Sequence, residues 1–191
     1  MGDDAKGFCY LMARSKNGPV RVGRDGTYLL CIDSADRLSL RKLLGELRDT
    51  LIADSAANNL ESENLRRLFP AAYHQDPQLD EEYQRLMKSD LLASRLDSLN
   101  TTNEALDRTP DDDKIVLTSD ELDVFTRSIN NLRLVIGTML DVQENEDSSA
   151  NDFGDHLEDD DPARLHYHLY SYLGWLLDWA VDAQTGALKA E

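Results

Sequence analysis

Cysteine and long apolar runs are both scarce in this sequence. Its 191 residues include two cysteines, Cys9 and Cys31, which are too few for a disulfide scaffold in a chain of this length. The most apolar window, Leu169–Val181, is interrupted by Asp178 and is shorter than the roughly 20 residues that cross a bilayer. The first fifteen residues lack the basic head and long apolar stretch of an export signal. We therefore expect a cytoplasmic protein without a membrane span.

Positive charge is also in short supply. The chain has 20 basic and 37 acidic residues, a formal net charge of −17 and a pI near 4.5. This balance opposes binding to a polyanion, so we expect no direct binding to nucleic acid. Nine of the acidic residues fall within Gln143–Asp161, which contains no Lys or Arg. We expect a solvated, flexible linker there, with a bait for a basic partner as the alternative.

Motifs for catalysis and cofactor binding are missing. No glycine spacing matches a phosphate-binding loop, and no GxSxG nucleophile motif occurs. The four histidines lie at positions 74, 156, 166 and 168 and show no spacing typical of a catalytic triad. His166 and His168 fall in a predicted helix, where residues i and i+2 point about 200° apart and cannot share a metal ion. The sequence therefore predicts no catalytic residue, no cofactor and no metal site.

Short apolar stretches are present near the N-terminus. The three stretches are Phe8–Ala13, Val20–Gly23 and Tyr28–Ile32. Asn17 and Gly18 separate the first two stretches, and Asp25 and Gly26 separate the last two. Both dipeptides accept the positive φ angles of tight hairpin turns. This pattern predicts a three-stranded antiparallel meander.

Helical periodicity dominates the middle of the chain. Leucines recur at helical spacing over residues 36–53, with Asp36 near the N-terminus as the capping residue. A short helix over 62–68 and a longer helix over 80–99 are predicted next. The polar residues after position 99 indicate a link, and residues 115–117 are typical of a short strand.

Two further helices are predicted towards the C-terminus. Thr118 and Glu121 form a capping box, and an apolar stripe follows over Leu122–Leu140. The last helix opens at Pro162, and Gly186 is placed to end it. Its apolar residues cover most of its circumference. We therefore expect this helix to be central in a bundle, with a surface that covers a partner as the alternative.

These patterns together predict an α+β, mostly helical protein, in which the N-terminal three-stranded antiparallel meander packs on a bundle of about four to five helices. With 41% hydrophobic residues, the chain has enough apolar material for a core. A length of 191 residues fits a single domain. Its predicted parts are the β-meander (7–33), a helical body (36–142), the acidic flexible linker (143–161) and a C-terminal helix (162–185).

Three strings in the sequence carry a resemblance to a known family. They are LRRLFPAAY at Leu65–Tyr73, EYQRLMKSDLLASRL at Glu82–Leu96 and NNLRLVIGTML at Asn130–Leu140. In that order they resemble a family of unknown function in actinobacteria that includes the actinomycete oxidative stress regulator AosR, over nearly the whole chain. The resemblance implies a cytosolic, redox-linked regulator that contacts an alternative sigma factor. Genes of the family tend to lie beside that of the Clp protease adaptor, which leaves the adaptor open as a second partner.

The resemblance also makes Cys9 and Cys31 candidate redox residues. The regulator's proposed sensing depends on two N-terminal cysteines close together in sequence, whereas 21 residues separate Cys9 from Cys31 here. In the predicted meander the two lie roughly 20 Å apart, while a disulfide needs Cα atoms within about 7 Å. We therefore expect two small apolar residues in a sheet, with a single exposed thiolate as the alternative.

Five polar residues in the matched strings are candidate binding residues. They are Arg66, Arg67, Asp90, Asn131 and Arg133. They either converge on a binding site for a partner or ligand, or they clamp helices together. Arg133 shares a helix face with Leu122, so we expect it to be nearly buried and paired with a carboxylate such as Asp90.

Three functions are compatible with these features. The first hypothesis is a non-catalytic regulatory interaction protein, linked by resemblance to oxidative stress and transcription regulation through an alternative sigma factor. The second is a small-ligand binder or an enzyme with a polar site near Arg66, Asp90 and Arg133. The third is a purely structural homodimer that uses the last helix.

Overall fold

A three-stranded antiparallel sheet and four α-helices make up the part of the chain that the computed structural model describes, which is residues 18–57, 62–73, 75–108, 114–141 and 162–188. The elements in chain order are β1 (Val20–Val22), β2 (Tyr28–Cys31), α1 (Ser34–Ala56), α2 (Pro77–Asp107), β3 (Lys114–Leu117), α3 (Ser119–Met139) and α4 (Pro162–Leu188). The predicted class, α+β and mostly helical, is confirmed. The predicted acidic linker at 143–161 lies outside the described residues.

Strand β2 is the centre of the sheet. Leu30 of β2 lies opposite Val20 of β1 on one side and opposite Ile115 of β3 on the other. The hairpin between β1 and β2 turns at Asp25 and Gly26, whose positive φ angles of 54° and 73° are those of the tight turn that the sequence predicts. The third strand of the sheet is β3, which arrives after α2. The predicted strand over residues 8–13 lies outside the described residues.

Helix α1 begins two residues earlier than the sequence predicts. Asp33, not Asp36, is the capping residue, because its extended backbone lets its carboxylate accept a hydrogen bond from the amide of Asp36 at 2.8 Å. Asp36 lies within the first turn instead, where it is 6% exposed. Four leucines spaced along α1 fill the core against the other helices: Leu40, Leu44, Leu47 and Leu51.

Helix α2 is longer at both ends than the predicted 80–99. Asp76 caps its N-terminus and accepts hydrogen bonds from the amides of Gln78 and Leu79, both at 3.1 Å. At the other end, the polar residues after Leu99 continue the helix, because Thr102 is buried and its hydroxyl donates to Ser128 of α3 at 2.9 Å. Residues 62–68, predicted as a short helix, form successive turns with hydrogen bonds between residues three apart.

Helices α3 and α4 pack against each other, and α4 also packs against β1. The predicted capping box of Thr118 and Glu121 is present at the start of α3. Helix α4 runs to Leu188, so Gly186 does not end it as predicted. Gly18 lies so close to α4 that a Cβ atom there would be 2.2 Å from the Trp179 ring, and its φ of +60° also favours glycine. None of the described helices combines the length and the apolar character that crossing a membrane requires.

Candidate functional site

A partly buried arginine, Arg95 of α2, joins the segment 62–73 to the helices. Its Nη1 donates a hydrogen bond to Asn131 Oδ1 of α3 at 2.5 Å, and its Nη2 donates to the carbonyl oxygen of Leu68. Its guanidinium also lies over the Phe69 ring, 5.6 Å from the ring centroid. Burial lowers the pKa of Arg95, and these partners are all neutral. Arg95 therefore acts as a clamp between the segment, α2 and α3.

The clamp includes one of the predicted binding residues, Asn131, and one residue that was not predicted, Arg95. Asn131 is buried and its amide oxygen is taken up by Arg95, which supports the helix-clamping alternative for Asn131. Arg95 itself follows Leu91 by four residues and precedes Leu99 by four. A charged residue at that spacing within an apolar stripe is the signal that identifies a buried arginine.

Two other candidates, Arg67 and Arg133, lie near Tyr170 of α4. The Arg133 guanidinium carbon lies 4.3 Å from the Tyr170 ring centroid. Glycines allow this close approach: a Cβ on Gly174 would lie 3.4 Å from Arg133 Nε, and one on Gly137 would lie 3.3 Å from Arg67 Nη1. The segment 62–73, α3 and α4 thus meet at this point. Arginine stacked on an aromatic face gains a cation–π interaction in addition to packing.

The predicted pair between Arg133 and Asp90 is wrong. Residues i and i+2 on a helix point about 200° apart, so with Asn131 facing α2, Arg133 faces α4. Asp90 is exposed on α2, and no ion pair joins it to Arg133 in the described part of the chain. Arg66 is exposed too. The five candidates therefore divide between the clamp, the Tyr170 contact and the surface; whether any of them binds a ligand stays a prediction.

A buried hydrogen bond connects the start of α1 to α4. The Tyr172 hydroxyl donates to Asp36 Oδ2 at 3.0 Å. Burial raises the pKa of the Asp36 carboxyl, the hydrogen bond from Tyr172 opposes that rise, and the nearby charge of Asp33 adds to it. Burial and the neighbouring Asp36 also raise the pKa of Tyr172, so its hydroxyl keeps its proton and remains a donor. This contact holds two helices together and forms no recognisable catalytic group.

Of the two redox candidates, only Cys31 falls within the described residues. It is half-buried in β2, opposite Lys114 of β3, and carries a free thiol. Its sulfur lies 4.0 Å from the carbonyl oxygen of Leu29. Cys9 lies outside the described residues, so the expected separation of the two cysteines stays a prediction.

A group of apolar side chains is exposed around the N-terminal half of α2. Its members are Tyr73 (47% exposed), Leu79 (48%), Leu86 (58%), Met87 (37%) and the half-buried Tyr83, and we call this group the α2 apolar surface. At about 100° per residue, Leu79 and Leu86 point about 140–180° away from the buried Leu99 and Leu106 of the same helix. The apolar stripe of α2 therefore changes side halfway along the helix. The spacing of these leucines in the sequence carries this change of side, but it was not among the features predicted from the sequence.

Side-chain hydrogen bonds hold the α2 apolar surface in place. Asp80 Oδ1 accepts from the amides of Ala72 and Tyr73, at 2.7 and 3.1 Å. Gln84 donates to the carbonyl oxygen of Pro70 at 2.9 Å. The Tyr73 ring is thereby placed edge-to-face against Tyr83, with ring centroids 6.1 Å apart. Residues 70–73 are thus fixed to the first turns of α2.

Comparison with known protein families gives a match that covers most of the chain. In the described part of the chain, no three His, Cys, Asp or Glu side chains are grouped so as to hold a metal ion. Neither the curated proteins nor the solved structures gave a match. The family described as Domain of unknown function (DUF2017) matches residues 17–184. Because that match covers most of the sequence, the chain belongs to the DUF2017 family.

Proposed function

We propose that the protein is a non-catalytic cytoplasmic regulator that binds a protein partner at the α2 apolar surface. The observation that supports this proposal is the grouping of large exposed apolar side chains on a helix face that its own bundle leaves uncovered. Exposed apolar residues that are scattered singly need no explanation, whereas a contiguous group marks an interaction site. Leu79, Tyr83 and Leu86 are also spaced at i, i+4 and i+7, which is the spacing of anchors in helix recognition.

The fixed geometry of this surface favours binding. Asp80 and Gln84 tie the loop that carries Tyr73 to α2 before any partner arrives. A side chain that is already ordered loses less conformational entropy when it binds, and each mobile side chain costs about 0.5–1.5 kcal/mol to immobilise. The surface therefore has the preorganisation expected of a binding site.

The partner that the family resemblance favours is an alternative sigma factor. Binding such a factor gives the protein a role in transcription regulation during the oxidative stress response. In this proposal the thiols of Cys9 and Cys31 are the candidate link to redox state. The α2 apolar surface supplies the contact and needs no catalytic group.

The two other hypotheses have less support from the geometry. A polar site near Arg66, Asp90 and Arg133 requires these side chains to converge, but Arg133 packs on Tyr170 while the other two are exposed. A homodimer through α4 requires one apolar patch on that helix. The exposed Leu165 and Val181 are sixteen residues apart, or about 24 Å along the helix axis.

The test is binding of the purified full chain to an alternative sigma factor from the same organism, measured by calorimetry under reducing conditions. Leu86→Glu places a charge at the most exposed member of the surface, so we expect affinity to fall at least about tenfold. Leu38→Glu is the matched control, because Leu38 is 64% exposed on α1 and lies outside the surface. Its affinity should equal that of the unaltered protein.

Two results would contradict the proposal. If the unaltered protein does not bind the sigma factor, the partner is wrong. If Leu86→Glu and Leu38→Glu bind equally well, the surface is wrong. Circular dichroism of both variants checks that the helical content is unchanged.

A further inference from the structure

The helix stripe that carries the α2 apolar surface continues into exposed carboxylates. From Leu79, Tyr83 and Leu86, the same side of α2 continues through Asp90 and Asp97, which follow Leu86 by four and eleven residues. Both aspartates are exposed. Neither accepts a hydrogen bond or forms an ion pair within the described ranges, so their charge is not neutralised locally. The stripe is therefore apolar at one end and acidic at the other.

On α2 itself, one more acidic residue lies beside this stripe. Glu82 is exposed one turn before Leu86, next to the apolar end. The basic residues of this half of α2, Arg85 and Lys88, point at least about 100° away from the stripe. The whole chain also carries a net charge of −17. A partner that covers the stripe therefore meets apolar groups first and uncompensated negative charge beyond them.

We propose that the element that docks on this stripe is an amphipathic helix whose apolar residues are followed by basic residues along one face. This inference rests on the proposed function and specifies the chemistry of the partner. A helix fits because side chains spaced at i and i+4 form ridges that pack into the grooves of a second helix. From Leu79 to Asp97 the stripe spans nineteen residues and rises about 27 Å, so the docked helix has about five turns.

The charges and the apolar groups have separate roles in this complex. Leu79, Tyr83 and Leu86 supply the area that is removed from water, which sets how slowly the partner dissociates. Asp90 and Asp97 attract the basic end of the partner, which speeds association and fixes the direction in which the helix lies. The attraction between exposed charges is screened by salt, with a Debye length of about 10 Å at 0.1 M. Affinity should therefore fall as ionic strength rises.

The experiment uses two synthetic eighteen-residue amphipathic helices with leucines at i, i+4 and i+7. One peptide carries lysines beyond the leucines on the same face, and the other carries glutamates at the same positions. Fluorescence anisotropy measures the binding of each to the full chain at low and high salt. We expect the lysine peptide to bind at least about tenfold more tightly at low salt and to lose most of that advantage at high salt.

Variants of the chain assign the effect to the stripe. The double change Asp90→Asn with Asp97→Asn should weaken binding of the lysine peptide about three- to tenfold at low salt and reduce its salt dependence. The control is Asp178→Asn with Asp182→Asn, which removes two exposed charges from α4 and alters net charge equally. That control should leave binding unchanged. Leu86→Glu should weaken both peptides, and Leu38→Glu should weaken neither.

Three outcomes overturn the inference. They are equal binding of the two peptides, equal effects of the two double variants, and a dimer of the chain that Leu86→Glu dissociates, since the stripe would then bind a second copy. These results are separable from the sigma-factor experiment. If Leu86→Glu abolishes sigma-factor binding while the Asp90 and Asp97 changes do not affect it, the proposed function stands and the basic-helix inference fails.

Discussion

The two halves of α2 direct their leucines to opposite sides of the helix. In the C-terminal half, Leu99 and Leu106 are buried in the core, and Thr102 donates a hydrogen bond to Ser128 of α3. In the N-terminal half, Leu86 is exposed together with the rest of the α2 apolar surface. The comparison shows that one helix has a buried apolar side in one half and an exposed apolar side in the other. Its C-terminal half contributes to the core, and its N-terminal half offers an uncovered apolar face.

Arg95 lies at the boundary between these halves. Its hydrogen bonds to Asn131 and to the carbonyl oxygen of Leu68 connect α2 to the core and to the segment 62–73 at once. That segment carries Tyr73 at its other end, where Asp80 holds it. We therefore expect the clamp to link the stability of the bundle to the shape of the exposed surface.

Among changes that test the difference between the two halves, Leu99→Ala has the largest expected effect on stability. Leu99 is fully buried, so the shorter side chain leaves a cavity and should lower the free energy of unfolding by about 2–5 kcal/mol. Leu86→Ala, in the exposed half, should change that free energy by no more than about 0.5 kcal/mol. Urea denaturation followed by circular dichroism measures both values.

A volume control sharpens this prediction. Leu99→Met nearly keeps the volume of the side chain, so its cost should stay below about 1.5 kcal/mol. Equal losses of stability for Leu99→Ala and Leu86→Ala would mean that the N-terminal half is packed in solution. The distinction between the two halves, and with it the docking surface, would then be wrong.

Arg95→Met tests the boundary between the two halves of α2 and should have an intermediate effect on the free energy of unfolding. Methionine retains much of the apolar stem, but Asn131 Oδ1 and the Leu68 carbonyl oxygen each lose a charged donor. We expect the free energy of unfolding to fall by about 1–3 kcal/mol. Hydrogen exchange should also speed up at the amide of Leu68, which donates to the Leu65 carbonyl oxygen in the clamped segment.

The control for this prediction is Arg85→Met on the exposed side of the same helix. Its effect on unfolding should be within about 0.5 kcal/mol, with no change in exchange at Leu68. A fall in stability without faster exchange in the segment would show that Arg95 supports only the helices. The proposed connection to the surface would then be incorrect.

Local signals predict those parts of the fold whose cause lies within a few residues. The turn at Asp25 and Gly26 and the capping box of Thr118 and Glu121 are of this kind, and both are confirmed. The C-terminal end of α2 is not of this kind. Its polar residues after Leu99 are typical of a link, but Thr102 donates a hydrogen bond to Ser128 on another helix. Burial by a distant element overrides the local composition there.

The candidate site was harder to predict than the fold. The presence of polar residues in the matched strings does not imply that they lie together in the fold. Asn131 and Arg133 are two residues apart on a helix, so they point to different neighbouring helices. Arg95 and the change of side between Leu86 and Leu99 were both readable as periodicity. Which of two apolar stripes remains uncovered depends on the tertiary packing, and a single sequence does not contain that information directly.

Asp36→Asn compares a buried carboxyl group with an exposed one, and it has the smallest expected effect on stability. Burial raises the pKa of Asp36 in the folded protein above its ordinary value of 3.8, so the folded state holds this proton more tightly than the unfolded state does. The stability contributed by Asp36 is therefore fully present below pH 3.8 and is lost as the pH rises through the folded-state pKa. Asparagine never ionises, and its Oδ1 still accepts the hydrogen bond from Tyr172.

The variant should therefore have a higher urea midpoint than the unaltered protein at pH 7, and the difference should shrink as the pH falls towards 3.8. Asp90→Asn is the matched control, because Asp90 is exposed and forms no hydrogen bond or ion pair in the described part of α2. Its midpoint should follow that of the unaltered protein. A lower midpoint for Asp36→Asn at pH 7 would mean that the ionised carboxylate stabilises the fold, and burial would then be outweighed by the hydrogen bond from Tyr172.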